Sequence, residues 1–121
     1  MNPLHVLRDH LADLPELDDF NRIFYRWYDE DVQQGAPPFL LLRPDGGGTK
    51  NELMQKPDVR LAVCTDHPSQ ADSVARAIEQ YLIDNHSAEC VCNFEILAGV
   101  TGPFPLENER NVSQLTVRLW A

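Results

Sequence analysis

The hydrophobic positions change period within residues 59–82, from the period of a strand to that of a helix. In residues 59–65 the larger apolar side chains occupy every second position, as in a strand with one face on a core. From Pro68 the period is helical, and Pro68 suits a first turn because its missing N–H would be unpaired there. Ser69 and Asp72 have an approximate capping-box spacing. The apolar face of the predicted helix comprises Ala71, Val74, Ala75, Ile78, Tyr81 and Leu82.

A second helical pattern lies at the N-terminal end. Asn2 is predicted to cap this helix, Pro3 to occupy its first turn and Pro15 to mark its end. Its apolar positions are Leu4, Leu7, Leu11 and Leu14. Residues 20–28 fit both a helical stripe and an aromatic-rich strand, and we favour a strand over residues 22–28.

Three further segments have the pattern of strands. Residues 39–42 form a short apolar run, and residues 92–97 and 114–119 alternate between apolar and polar positions. Residues 99–110, between the last two strands, are too many for a tight hairpin and predict a long loop. The sequence therefore predicts an α+β domain with an N-terminal helix, a four- to five-stranded, mainly antiparallel sheet, and one long helix packed on a face.

Length and charge restrict the possible functions. A chain of 121 residues predicts a single domain over residues 1–121. The net charge of -9, from 10 Lys and Arg against 19 Asp and Glu, argues against sequence-specific nucleic-acid binding, because that affinity comes mainly from cations that displace counterions. The sequence shows neither a basic, apolar leader nor a run of membrane-spanning length, so we expect a cytoplasmic protein that binds no membrane.

Three cysteines without a secretion signal predict reduced thiols. Cys90 and Cys92 alternate along a predicted strand and could ligate zinc with His86, but the paired spacing and a fourth ligand are missing. Cys64 and His67 could act as nucleophile and base, but nothing in the pattern orients one toward the other. We interpret the cysteines as small buried hydrophobes and expect no metal or cofactor. The alternative is a small cytosolic enzyme or ligand-binding module with a Cys/His or metal site.

Other candidate chemistry is incomplete. The glycine run at residues 46–50 has the wrong order for a phosphate-binding loop, since its Lys follows Thr and the upstream glycine is missing. We interpret the clustered carboxylates as a solvated acidic face. The sequence therefore predicts a protein that is not an enzyme.

The order of the segments carries a resemblance to a known family. An apolar strand at residues 38–43 is followed by a glycine loop, a strand, a helix, another strand, a proline-bearing loop, and an acidic-then-Arg step before a last strand. The glycine loop is residues 46–48, the strand after it 59–65, the helix 71–82 and the next strand 92–97. The acidic-then-Arg step is residues 107–110, and the last strand is 112–120. In this order the chain resembles the phage tail terminator family, also called tail-completion or minor tail protein U-like proteins, from about Pro38 onward.

The resemblance implies an assembly protein without turnover. Such proteins cap the end of a growing tail tube as a ring, commonly hexameric, and then offer a surface for joining the head. The implied partners are further copies of the chain, the tail tube protein and a head-completion protein, in the host cytoplasm and then in the virion tail. A ring of this kind forms when one surface patch meets a different patch on the next copy with a rotation that closes.

Loop residues are the predicted contacts of this ring. Phe104 and Leu106 are predicted at the interface between copies, and the alternative is that they fold back over the sheet. The glycine loop is predicted to contact the tube or a neighbouring copy. The full set is Gly46, Gly47, Gly48, Phe104, Leu106, Glu107 and Arg110. The net charge of -9 also predicts an acidic bore, through which phosphates pass without displacing counterions.

Overall fold

Two α-helices and five β-strands form an α+β fold in the part of the chain that the computed structural model describes, residues 2–33, 35–45, 56–88, 91–106 and 109–120. In chain order they are α1 (Pro3–His10), β1 (Asn21–Phe24), β2 (Phe39–Pro44), β3 (Asp58–Thr65), α2 (Pro68–Asp84), β4 (Asn93–Pro105) and β5 (Asn111–Trp120). This is the fold class that the sequence predicts. No helix in these ranges is long and apolar enough to cross a membrane.

The strands form one mixed sheet in the order β1-β2-β3-β5-β4. β1 pairs with β2 in parallel, and the three other pairs are antiparallel. β3 lies at the centre, where Leu61 is opposite both Leu42 of β2 and Leu115 of β5. The mainly antiparallel sheet is therefore confirmed. The strand predicted over residues 22–28 is confirmed only as far as Phe24, and its continuation to residue 28 is wrong, because Tyr25 has a φ of 74° and ends the strand β1.

Both α-helices contribute to one apolar core on the same face of the sheet. The stripe of α2 meets alternate residues of β3 and β5, because strand side chains point to opposite faces in turn. The larger buried side chains of this face include Leu4, Leu7, Leu11, Leu40, Leu42, Leu61, Ile78, Leu82, Leu115 and Leu119.

The opposite face of the sheet carries a smaller apolar cluster. Its buried members are Phe39, Leu41, Ala62, Cys64 and Val112. We call these residues the second-face cluster. Trp27 and Val32, from the segment between β1 and β2, pack against it. Because both faces of β2 are covered, residues 39–42 read as a continuous apolar run without alternation.

The N-terminal helix begins as predicted but ends earlier. The side chain of Asn2 accepts hydrogen bonds from two N–H groups of the first turn, at 3.1 and 3.4 Å, so Asn2 is the N-cap. Helix α1 ends at His10, so the predicted end at Pro15 is wrong. The chain tightens there into short 3-10 helices at Leu11–Asp13 and Pro15–Leu17, which keep the leucine stripe on the core.

The start of α2 at Pro68 is confirmed, but the predicted capping box is wrong. The N-cap is His67, whose side chain makes no capping hydrogen bond to the described residues. Ser69 therefore lies inside the first turn, where it cannot act as the cap. Thr65 holds this turn instead, because its Oγ1 donates a hydrogen bond to the His67 carbonyl oxygen at 2.7 Å.

The predicted loop over residues 99–110 is wrong, because β4 continues through the first half of it. Three register shifts carry the strand past its glycines and prolines, which interrupt the apolar alternation in the sequence. Gly102 has a φ of +108°, and a Cβ there would lie 2.7 Å from the Val112 carbonyl oxygen, so glycine is required. Leu106 N–H donates to the Arg110 carbonyl oxygen at 2.7 Å, so the chain just after β4 pairs with the chain just before β5.

Candidate assembly surface

The predicted contact residues occupy different environments. Gly46, Gly47, Gly48 and Glu107 lie outside the described residues. Phe104 is 48% exposed near the end of β4, whereas Leu106 packs against the second-face cluster. Phe104 is therefore available to a partner, and Leu106 folds back over the sheet.

Arg110 is buried, so its role lies within the domain. Its Nε lies 3.2 Å from Oδ1 of Asp66 in an ion pair. Its two terminal nitrogens donate to the carbonyl oxygens of Pro37 and Gln33, at 3.3 and 3.5 Å. The guanidinium carbon also lies 5.7 Å from the ring centroid of Phe39. Arg110, which directly precedes β5, thus contacts both the segment before β2 and Asp66 after β3. We interpret it as a residue that positions neighbouring loops.

Asp66 is the centre of the same junction. Its Oδ2 accepts a hydrogen bond from Gly35 N–H at 3.2 Å, and its carbonyl oxygen accepts one from the side chain of Asn111 at 3.4 Å. Through its carboxylate and its carbonyl oxygen, Asp66 therefore joins the β3–α2 turn to the segment before β2 and to the start of β5. The sequence shows Asp66 only as part of a helix-entry turn, because its pairing with the distant Arg110 exists only in the folded chain.

A patch with two exposed aromatic rings, which the sequence does not mark as a contact, lies where β1 ends. Tyr25 and Tyr28 are 62% and 59% exposed. The guanidinium carbon of Arg26 lies 5.9 Å from the ring centroid of Tyr28. Arg22 belongs to the same strand and is half-buried. We call Arg22, Tyr25, Arg26 and Tyr28 the edge patch.

Tyr25 has a backbone conformation that is unusual for a bulky residue. Its φ is 74°, in the region that side chains with a Cβ rarely adopt. Arg26 N–H donates to the Phe24 carbonyl oxygen at 3.0 Å, which is the hydrogen bond of a γ-turn centred on Tyr25. Tyr25 N–H donates to the Leu42 carbonyl oxygen at 3.0 Å. The sheet thus holds a strained residue whose ring is exposed, and such strain is concentrated at functional sites.

A second patch lies at the other end of the sheet, where α2 meets β4. Ile83 is 52% exposed and Leu97 is 39% exposed. Oε2 of Glu79 accepts a hydrogen bond from Val100 N–H at 3.1 Å. This carboxylate of α2 therefore occupies a backbone donor of the outer strand β4. Asp84 follows Ile83 and is exposed. We call Glu79, Ile83, Asp84 and Leu97 the rim patch.

The environment of Cys64 opposes a catalytic role. Cys64 is fully buried in the second-face cluster, as its place in the sequence predicts. Burial is the main cause that raises the pKa of its thiol to about 11. A nucleophilic cysteine needs a lowered pKa, so this arrangement does not support a Cys64–His67 pair.

The other two cysteines do not form a site in the described structure. Cys92 is exposed just before β4, so its interpretation as a buried hydrophobe is wrong. Cys90 lies outside the described residues. Within the described ranges, no group of three or more His, Cys, Asp or Glu side chains is placed to hold a metal ion.

Thiol labelling tests the difference between these cysteines. In a Cys90→Ser variant at neutral pH, we expect a maleimide to modify Cys92 in the folded protein and Cys64 only after denaturation, because burial excludes the reagent and keeps the thiol protonated. Mass spectrometry should therefore count one label before denaturation and two after it. Labelling of Cys64 in the folded protein as fast as Cys92 would contradict this assignment.

Comparison with protein families gives a match along the full chain. The family model described as "Phage tail termination protein" matches residues 1–121. Comparison with curated proteins gives no match. The family match confirms the resemblance that the order of the segments suggests and extends it to the N-terminal helix. The chain belongs to the phage tail termination protein family.

Proposed function

We propose that this protein caps the end of a growing phage tail tube as a closed, commonly hexameric ring, stops its polymerisation and provides the surface to which the head joins. The observation that carries this proposal is the family match over residues 1–121. The family is structural, so the role requires binding and no turnover. The proposed partners are further copies of the chain, the tail tube protein and a head-completion protein. Assembly would take place in the host cytoplasm and end in the virion tail.

The shape of the fold supports a ring. Closed rings with head-to-tail contacts need two different patches on each copy, and the edge patch and the rim patch lie at opposite ends of one sheet. A persistent contact of this kind needs roughly 800 Å² from each partner. Two exposed tyrosines on one side and two exposed aliphatic side chains on the other are apolar groups around which such a contact can form.

The charge of the chain supports a bore that passes DNA. At a net charge of -9, few cations are available to hold phosphates. Five of the described arginines are also in ion pairs with carboxylates of the same chain. We therefore propose that Asp and Glu side chains line the bore of the ring. A separate proposal is that Gly46, Gly47, Gly48 and Glu107 contact the tube or a neighbouring copy. A ring structure with a basic bore would contradict the first of these proposals.

Electron microscopy of particles that lack this protein tests the proposed function. We expect tails of uncontrolled length that do not join heads, because nothing stops addition of tube subunits at the free end. Supplying the wild-type chain from a plasmid should restore uniform tails with heads attached. Uniform, head-bearing particles in the absence of the protein would refute the proposal.

A further inference from the structure

Residues 25–38 lead from the end of β1 to the start of β2 across the sheet face that carries the second-face cluster. We call these residues the strap; residue 34 lies outside the described part of the chain. Because β1 and β2 are parallel, the strap must run back along the sheet to begin β2. The ring centroids of Trp27 and Phe39 are 5.7 Å apart, and Val32 packs on the same cluster. The strap therefore covers part of the second-face cluster.

Three polar contacts of the strap converge on one ion pair. Arg110 donates to the carbonyl oxygens of Gln33 and Pro37, at 3.5 and 3.3 Å. Gly35 N–H donates to Oδ2 of Asp66 at 3.2 Å. Arg110 and Asp66 are themselves paired at 3.2 Å, and we call this pair the latch. Because the three contacts depend on the same two side chains, a change in either one weakens them together.

The strap turns through left-handed backbone conformations near both of its ends. Tyr25 has a φ of 74°, and Gly35 has a φ of +86°. A Cβ at Gly35 would meet no described atom within 4 Å, so the backbone conformation alone favours glycine there. The strained conformation of Tyr25 persists only where the surrounding structure imposes it. The closed strap is therefore held against strain by the latch and by its packing.

The larger core does not depend on the strap. Its buried side chains come from both α-helices, the sheet and the segments beside them, and none of the described strap residues belongs to it. Backbone hydrogen bonds also hold β1 on β2 at the two ends of the strap. Tyr25 N–H donates to the Leu42 carbonyl oxygen, and Asn21 N–H donates to the Pro38 carbonyl oxygen, each at 3.0 Å. Opening of the strap would therefore bare the second-face cluster and leave the larger core packed.

We propose that the strap is a conformational device with a closed state, which the latch holds on the second-face cluster, and an open state that forms without unfolding of the larger core. Segments that open separately in this way are those with few buried apolar contacts. Cys64 is the reporter of the open state, because it is fully buried in the cluster that the strap covers. Opening gives a maleimide access to Cys64 and removes the burial that raises the pKa of its thiol.

Thiol labelling in dilute urea tests this device. With Cys90→Ser and Cys92→Ser as the background, the rate at which a maleimide labels Cys64 is measured over hours in urea below the unfolding transition, which circular dichroism defines. Asp66→Asn should accelerate labelling by at least about tenfold, and by more than its loss of global stability explains, because the buried Arg110 loses its counter-charge. The control Asp72→Asn breaks an exposed ion pair on α2 and should leave the rate unchanged.

A second pair of variants decides the matter should Asp66→Asn not fold. Gly35→Ala strains the strap backbone without a clash, so it should accelerate labelling of Cys64 while circular dichroism stays native. Gly35→Asn should accelerate it less, because asparagine tolerates a left-handed conformation better. Since Gly35 lies in the strap, this result assigns the opening to the strap and not to Leu106, which packs on the same cluster. Unchanged labelling in folded Asp66→Asn or in Gly35→Ala, or labelling that only follows global unfolding, would overturn the proposal.

Discussion

Replacing Arg110 with alanine is expected to lower the free energy of unfolding by about 3–5 kcal/mol, because the change breaks a buried ion pair. The guanidinium is fully buried, and its removal leaves the Asp66 carboxylate without its cation. It also leaves the carbonyl oxygens of Gln33 and Pro37 without the donors that they have in the folded chain. Urea unfolding followed by circular dichroism measures the loss.

Arg76→Ala is the matched control for this experiment. Arg76 forms an ion pair with Asp72 one helical turn away, at 3.1 Å, and its side chain is largely exposed. Its removal should cost only about 0.5 kcal/mol or less, because exposed pairs of this spacing are weak. A loss below about 1 kcal/mol for Arg110→Ala, or equal losses for the two variants, would contradict the role assigned to Arg110.

Leu82→Ala and Ile83→Ala are expected to differ strongly although the two residues are adjacent in α2. Leu82 is fully buried in the core between α2 and the sheet, so its truncation should cost about 2–5 kcal/mol through lost burial and the cavity left behind. Ile83 faces solvent, and its truncation should change the free energy of unfolding by less than about 1 kcal/mol. Urea unfolding of both variants measures this difference.

The same pair of variants separates stability from assembly. Ile83 belongs to the rim patch, so Ile83→Ala should fold like wild type and still give fewer tails of native length. Leu82→Ala should instead lower stability first and assembly only as a consequence, and its assembly should recover at lower temperature. Equal stability losses in the two variants would show that the helix face is wrongly assigned.

The elements that the sequence predicts well are those with one dominant hydrophobic period. β3 and α2 are examples, since the change from a two-residue to a helical period falls where the strand ends and the helix begins. The prediction fails at β4, where Gly99, Gly102 and Pro103 interrupt the alternation and the pairing depends on register shifts against β5. Long-range pairing decides that strand, and a local pattern cannot show it.

The candidate surface is predictable only in part from the sequence. An aromatic residue in a glycine- and proline-rich segment suggests exposure, and the structure does expose Phe104. The sequence also places Arg110 among the predicted interface residues. In the structure Arg110 is buried and paired with Asp66, which only folding brings near it. The exposure of the Tyr25 ring accompanies a γ-turn centred on this residue, and the sequence gives no signal for such a turn at a residue other than glycine.

Growth of tail tubes in the presence of the purified chain tests most directly the claim that this protein acts by capping a polymer end. Tube protein is polymerised from tail initiation complexes, the chain is added at increasing molar ratios, and tube lengths are measured by electron microscopy. We predict that elongation stops on addition, and that the number of stopped tubes rises in proportion to the protein added until every end is occupied. Tubes that keep elongating at an unchanged rate in a molar excess of the chain would contradict the account.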